Sequence, residues 1–180
     1  MNKKEKNILS RKYEFYNSFF IEFKIEEIIK FKNLDLNEIN IYDCFDYIQK
    51  ENIIFINCDI CNEKNAKTIE KSQLISIPNI LVINFIISEE NKNNTKIKFY
   101  EYLDLTKIGI NDNKKYELQN VIKEIEVDSK YKKYIAYCCS PIQNFSNLWY
   151  CYDNEKISKV INLDNIYSND STCILFYQLK

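Results

Sequence analysis

Residues 131–140 read YKKYIAYCCS, an aromatic and apolar run that opens on two lysines and closes on two cysteines. Tyr and Ile favour a half-buried pleated surface, so the run predicts a strand over Tyr131 to Cys139. Working outward, similar runs predict strands at Tyr116 to Val127, Leu148 to Tyr152, Ile157 to Ile161 and Thr172 to Leu179. Upstream, Ile53 to Ile56, Thr68 to Ile77, Ile80 to Ile87 and Lys96 to Tyr100 read the same way, and SEENKNNT between the last two reads as an exposed loop. Tyr13 to Ile25 alternates in part and fits a strand pair. One stretch follows another period: Ile41, Cys44, Phe45 and Ile48 fall at i, i+3, i+4 and i+7, with Asn40 placed to cap a helix and Asp43 in its first turn. Many strands and few helices predict an α+β domain on a mainly antiparallel sheet.

Composition narrows the function classes. The chain has 180 residues, 46% of them hydrophobic, enough for one core, and the polar residues 1–12 precede one domain, or part of a larger one, over 13–180. A net charge of −1 leaves no basic excess for phosphate neutralisation, so a nucleic-acid partner is not expected. No apolar run approaches the ~20 residues of a membrane helix, and MNKKEKN is not a signal peptide, so an intracellular protein, cytoplasmic or nuclear, is expected with no membrane partner. Seven cysteines in that setting predict reduced thiols.

Three groups of residues could carry chemistry. Cys58 and Cys61 have the two-residue gap that lets both thiolates reach one tetrahedral zinc, but four ligands are needed and the sequence has no histidine and no second C-x-x-C. They read as an intact zinc site, a half site or ordinary cysteines. Cys138 or Cys139 could act as a nucleophile given a base, or sit as buried cysteines at a strand end. Asp153 and Asn154, closing the aromatic run WYCY, could orient an imidazole or form a turn.

Read in order, these fragments resemble the C-terminal finger and palm half of the ubiquitin-specific proteases, papain-like cysteine deubiquitinases. The second finger knuckle and the strand after it are matched by Cys58, Cys61, Pro78, Leu81 and Ile83, and IYDCFDYIQKENI resembles the preceding helix. Phe99, Leu103, Asp104 and Leu105 echo a Phe-then-LDL stretch, and Tyr116, Leu118 and Val121 match the next strand. Tyr134, Ala136 and Tyr137 match the catalytic histidine strand. Trp149, Tyr152, Asp153, Asn154 and Ile157 match the strand that carries the orienting acid, and Ile174 to Tyr177 the closing I-L-F-Y.

The departures from the pattern fall on the chemistry. Lys133 stands where the resemblance implies the catalytic histidine, and Lys132 where it implies glycine. Glu124 and Glu126 replace a histidine and a glycine upstream, and the cysteine box of the thumb subdomain and the first zinc knuckle have no counterpart. The resemblance therefore implies a cysteine-type deubiquitinase fold whose catalytic set is reduced to Asp153 with Asn154. For Lys133 to act as base, its ordinary pKa of about 10.4 would have to fall by roughly 3 units, about 4 kcal/mol, so a solvated or ion-paired lysine is expected. The implied partners are ubiquitin or a ubiquitin-like protein and a thumb-region or other protein, with no cofactor beyond zinc at an incomplete site. The implied path of the ubiquitin tail runs beside the histidine strand, past Glu124, Glu126, Lys132 and Lys133. The rival readings are a fragment of a longer active deubiquitinase and a small metal or redox module centred on Cys58 and Cys61.

Overall fold

The computed structural model describes residues 13–14, 20–32, 38–58, 62–74, 78–88, 95–108, 115–127, 131–140, 148–167 and 172–180. The polar N-terminal segment 1–12 lies outside them. Twelve strands and three helices form the described part: β1 (Ile21–Lys24), α1 (Ile25–Lys32), β2 (Glu38–Asn40), α2 (Ile41–Gln49), β3 (Asn52–Ile56), β4 (Ala66–Glu70), β5 (Ile80–Ile86), β6 (Lys96–Lys98), β7 (Tyr102–Asp104), β8 (Lys115–Glu126), β9 (Lys132–Cys139), β10 (Trp149–Asp153), β11 (Lys156–Lys159), α3 (Asp164–Tyr167) and β12 (Thr172–Leu179). A single 3-10 turn, Leu105–Ile108, follows β7.

The large sheet runs β1-β5-β12-β8-β9-β10-β11, with β7 on β8 as its eighth strand. It is antiparallel except at β1, which pairs parallel with β5. Strict alternation sets its two faces. In β5 the buried residues are Leu81, Ile83 and Phe85, and the register places Leu175 of β12 opposite Ile83 and Tyr177 opposite Leu81. Those side chains meet Ile25 and Ile28 of α1 and Ile41, Cys44 and Phe45 of α2 in one cluster, so both helices cover the same face. The Tyr177 hydroxyl, inside that cluster, donates to the Tyr100 carbonyl at 2.7 Å, which satisfies the group burial would otherwise leave without a partner.

Helix α2 starts where its sequence says it should. Asn40 Oδ1 accepts from the Tyr42 amide at 3.0 Å, and the Asp43 carboxylate accepts from the Asn40 amide at 3.1 Å. This reciprocal pair satisfies amides that the helix cannot pair itself. The segment expected to form a strand pair up to Ile25 instead turns from β1 straight into α1, because Ile25 and Ile28 continue on helical spacing and both are fully buried. Strand β4 ends at Glu70, short of the expected Ile77, since its register with β3 runs from Ala66 opposite Ile56 to Glu70 opposite Asn52. That hairpin stands as its own two-stranded sheet and leaves Ile53, Phe55 and Ile69 about 60% exposed.

Candidate functional site

Strand β9 lies between β8 and β10. The register sets Lys133 opposite Ile125 and Tyr137 opposite Val121 and Cys151, so Lys133, Ile135 and Tyr137 share the helix-covered face with Trp149, Cys151 and Asp153. Trp149 is buried in the core and fixes β10, and the Val160 amide donates to its carbonyl at 2.8 Å. At the far end of β10 the chain reverses through Asn154, whose φ of 54° is left-handed, a conformation Asn tolerates better than most residues. The turn closes the β10–β11 hairpin with Asp153 opposite Lys156.

This arrangement brings Lys133 and Asp153 together. The Lys133 ammonium donates to both carboxylate oxygens, at 2.7 Å to Oδ2 and 3.0 Å to Oδ1, and both side chains are about one third exposed. A pair so placed contributes on the order of 1 kcal/mol or less to stability. Its chemical consequence is larger. An ammonium has no lone pair, so Nζ cannot take a thiol's proton while it holds Asp153 in this way. Asn154 and Glu155, with Lys156, line an open depression of about 430 Å³ around the pair.

The second lysine serves the other side of the sheet. Lys132 is opposite Glu126 and Glu124 opposite Tyr134, and the Lys132 ammonium lies 3.2 Å from Glu124 Oε1. Glu124, Glu126 and Lys132 therefore face away from Lys133, and the expectation that all four border one tail path is corrected: successive residues of a regular strand point to opposite faces.

The thiols of Cys44, Cys138 and Cys151 are all shifted upwards, away from a reactive thiolate. Cys138 and Cys139 sit at the far end of β9, five and six residues from Lys133, or roughly 16 to 20 Å along the strand. Cys138 also points to the opposite face, and burial pushes its thiol above the ordinary range, helped by the neighbouring Cys139 and Cys151. Cys151 is two residues before Asp153 on the same face, a proximity readable from alternation alone that the sequence reading did not single out. Burial raises its thiol too, against the opposing effect of a hydrogen bond with Tyr137. Cys44 is fully buried in α2 and its thiol donates to the Asn40 carbonyl.

The knuckle offers little to a metal. Cys58 follows β3, and its amide donates to the Glu63 carbonyl at 2.9 Å, closing the turn towards β4. Cys61 lies outside the described residues. Among the described residues no group of three or more His, Cys, Asp or Glu side chains gathers as a metal site. The described residues by themselves do not supply the four ligands of a tetrahedral structural zinc. The hairpin around Cys58 also lacks the strand-to-helix setting of a thioredoxin-like redox motif.

The order of helix α2, the knuckle hairpin and the β9–β10 strand pair is the one that the resemblance to the ubiquitin-specific proteases implies. The model of the ubiquitin carboxyl-terminal hydrolase family matches residues 12–177, and the chain belongs to that family. Among solved structures, the yeast SAGA deubiquitinating module with a variant Sgf73 aligns with a TM-score of 0.65 at 17% identity. A SAGA Ubp8/Sgf11/Sus1/Sgf73 module aligns at 0.67 and 17%, and a Ubp8/Sgf11/Sus1/Sgf73 module bound to monoubiquitin at 0.62 and 18%. The alignments cover 89 to 91% of this chain and 35 to 36% of the matched chains, so it spans about a third of their length. No curated protein matches the sequence.

Proposed function

We propose that this chain is a catalytically silent palm and finger domain of the ubiquitin system, which engages ubiquitin weakly and acts by binding or scaffolding. The observation that carries the reading is the Lys133 ammonium seated on both oxygens of Asp153. Where the family resemblance implies an imidazole oriented by an acid, the acid is held by a cation that cannot shuttle a proton. The finger hairpin supports the binding half: Ile53, Phe55 and Ile69 lie exposed on one side of it, as a surface for the folded body of a ubiquitin-like protein would. One of the similar structures is of a module bound to monoubiquitin, which is consistent with ubiquitin as the partner here.

The test is a titration with full-length ubiquitin and with ubiquitin lacking its last residues. Both should bind, with dissociation constants in the high micromolar range or weaker and within about threefold of each other. Loss of binding on truncation would show that the tail passes Lys133 and would overturn the reading.

A second reading, a palm and finger portion of a longer thiol-dependent deubiquitinase that hydrolyses ubiquitin C-terminal (iso)peptide bonds, is favoured by the share of the matched chains that this chain spans. Such a protein would gain a nucleophile and still carry Lys133 at the base position.

With two thiolates at the knuckle, zinc should bind weakly. Metal analysis after purification without chelator should find well under one zinc per chain, and a colorimetric chelator should remove it at once. Tight stoichiometric zinc in a monomer, lost in Cys58→Ser, would show a ligand set that the described residues do not contain.

A further inference from the structure

We propose that Phe31 and Tyr47, with the Glu27 carboxylate bonded to the tyrosine, form an aromatic cage for the quaternary ammonium of a trimethylated lysine on a partner protein, and that Lys50 occupies the cage until the partner displaces it. Glu27 and Phe31 stand one helical turn apart on α1, so they share a face of that helix. Tyr47 lies in the last turn of α2 and packs partly against the core. Its ring meets that of Phe31 at a centroid distance of 5.6 Å and an angle of 71°. The Lys50 ammonium sits over both rings, 3.7 Å from the Tyr47 centroid and 5.3 Å from that of Phe31, within the range in which a ring face attracts a cation.

The occupant of the cage argues for its ligand. What sits there is a lysine side chain, so a lysine from a partner has the reach and the charge to replace it. The methyl groups follow from the hydrogen bonds. The Tyr47 hydroxyl donates to Glu27 Oε2 at 2.5 Å, and Glu27 Oε1 lies 3.7 Å from the Lys24 ammonium, so both carboxylate oxygens are engaged. A primary ammonium leaving water for the two rings gives up N–H bonds that it cannot remake in full, whereas a quaternary ammonium has none to lose. Lys50 keeps some of its own N–H bonds by staying half-exposed. The exchange leaves the local charge unchanged, because the incoming cation replaces Lys50 beside Glu27 and Lys24. Glu27 is ionised to receive it: the Tyr47 hydrogen bond, then Lys24 and Lys50, hold its carboxyl below the usual carboxylate range. Lys50 caps α2 with an extended backbone, φ −59° and ψ 147°, so its side chain can swing out without unwinding the helix. The cage uses none of the residues of the Lys133–Asp153 site, and the proposal does not rest on the silent-domain reading.

The experiment is a nuclear magnetic resonance titration of the full chain with a short glycine-flanked peptide carrying trimethyllysine. The controls are the unmethylated peptide, the same peptide with carbon in place of the quaternary nitrogen, and choline. The trimethyllysine peptide should shift the ring signals of Phe31 and Tyr47 and bind about tenfold more tightly than either control peptide. Choline, which lacks the stem, should bind more weakly than the trimethyllysine peptide. Lys50→Ala removes the competing cation and should tighten binding about two- to fivefold. Tyr47→Leu should abolish it. Phe31→Leu, at a position 43% exposed and therefore safe for the fold, should weaken it about two- to fivefold and decides the matter if the Tyr47 variant does not fold. Equal binding of the unmethylated or carbon peptide, no change in Lys50→Ala or Phe31→Leu, choline binding as tightly as the trimethyllysine peptide, or no shift at millimolar trimethyllysine peptide would each overturn the proposal.

Discussion

Incubated with ubiquitin joined through its C-terminus to a fluorogenic amine, this chain should release no amine above the uncatalysed rate, and neither should Lys133→His. A thiol protease needs a thiolate, a base that takes and returns its proton, and a group that orients the base. Asp153 is in place, but its two oxygens hold Lys133 Nζ at 2.7 and 3.0 Å. Members of such a set act as a unit, so losing two of them removes on the order of 10⁶ in rate by analogy with other triads. Lys133→His restores one. The imidazole would find Asp153 ready to accept from it, yet Cys138 faces the opposite side of the sheet and Cys139 lies near the far end of β9. The nearest described thiol in sequence, Cys151, shares the Asp153 face, but burial holds it in the protonated form. Turnover by Lys133→His alone would mean that a thiol of this chain reaches the site.

The second large effect concerns the strand that presents Asp153. Trp149→Ala should lower the free energy of unfolding by about 3–5 kcal/mol, the usual range for a buried aromatic truncated to Ala. Trp149 is 4% exposed, a member of the core cluster, and its carbonyl holds Val160 beyond the β10–β11 hairpin. Removing the side chain leaves a cavity beneath β10, and the hairpin carrying Asp153, Asn154 and Lys156 should loosen first. Urea unfolding followed by far-ultraviolet circular dichroism gives the value. A change below about 1 kcal/mol would show that β10 is held by its strand pairing alone.

How far these features could be read from the sequence depended on how local their causes are. Helix α2 was legible from its cap and its four apolar positions, because Asn40 and Asp43 act within three residues of one another. The strands from Tyr116 onward were legible because each carries its own run of apolar and aromatic side chains. Helix α1 was not: Phe23 and Ile25 alternate as in a strand, and no Gly or Pro marks the switch at Ile25 to the helical spacing of Ile25 and Ile28. The parallel pairing of β1 with β5 joins residues about sixty positions apart and leaves no local trace.

At the site, Lys133 and Asp153 are twenty residues apart and were linked only through the family pattern. Whether Lys133 was solvated or paired required the register of β9 against β10. The separation of Lys132 from Lys133 onto two faces follows from alternation. It was missed because the family pattern was read as a linear string beside a channel. The proximity of Cys151 to Asp153 follows from the same rule.

Silence of the thiols at the Lys133–Asp153 pair is tested most directly by ubiquitin bearing a thiol-reactive group at its C-terminus. Wild-type protein is incubated with this probe and examined by intact mass and peptide mapping, with and without a separately expressed thumb region of an active protease. The chain should keep its unmodified mass in both cases, since no thiol is presented to the probe's reactive carbon. An adduct on any one of its seven cysteines, formed stoichiometrically and lost when that cysteine is changed to Ser, would contradict the account.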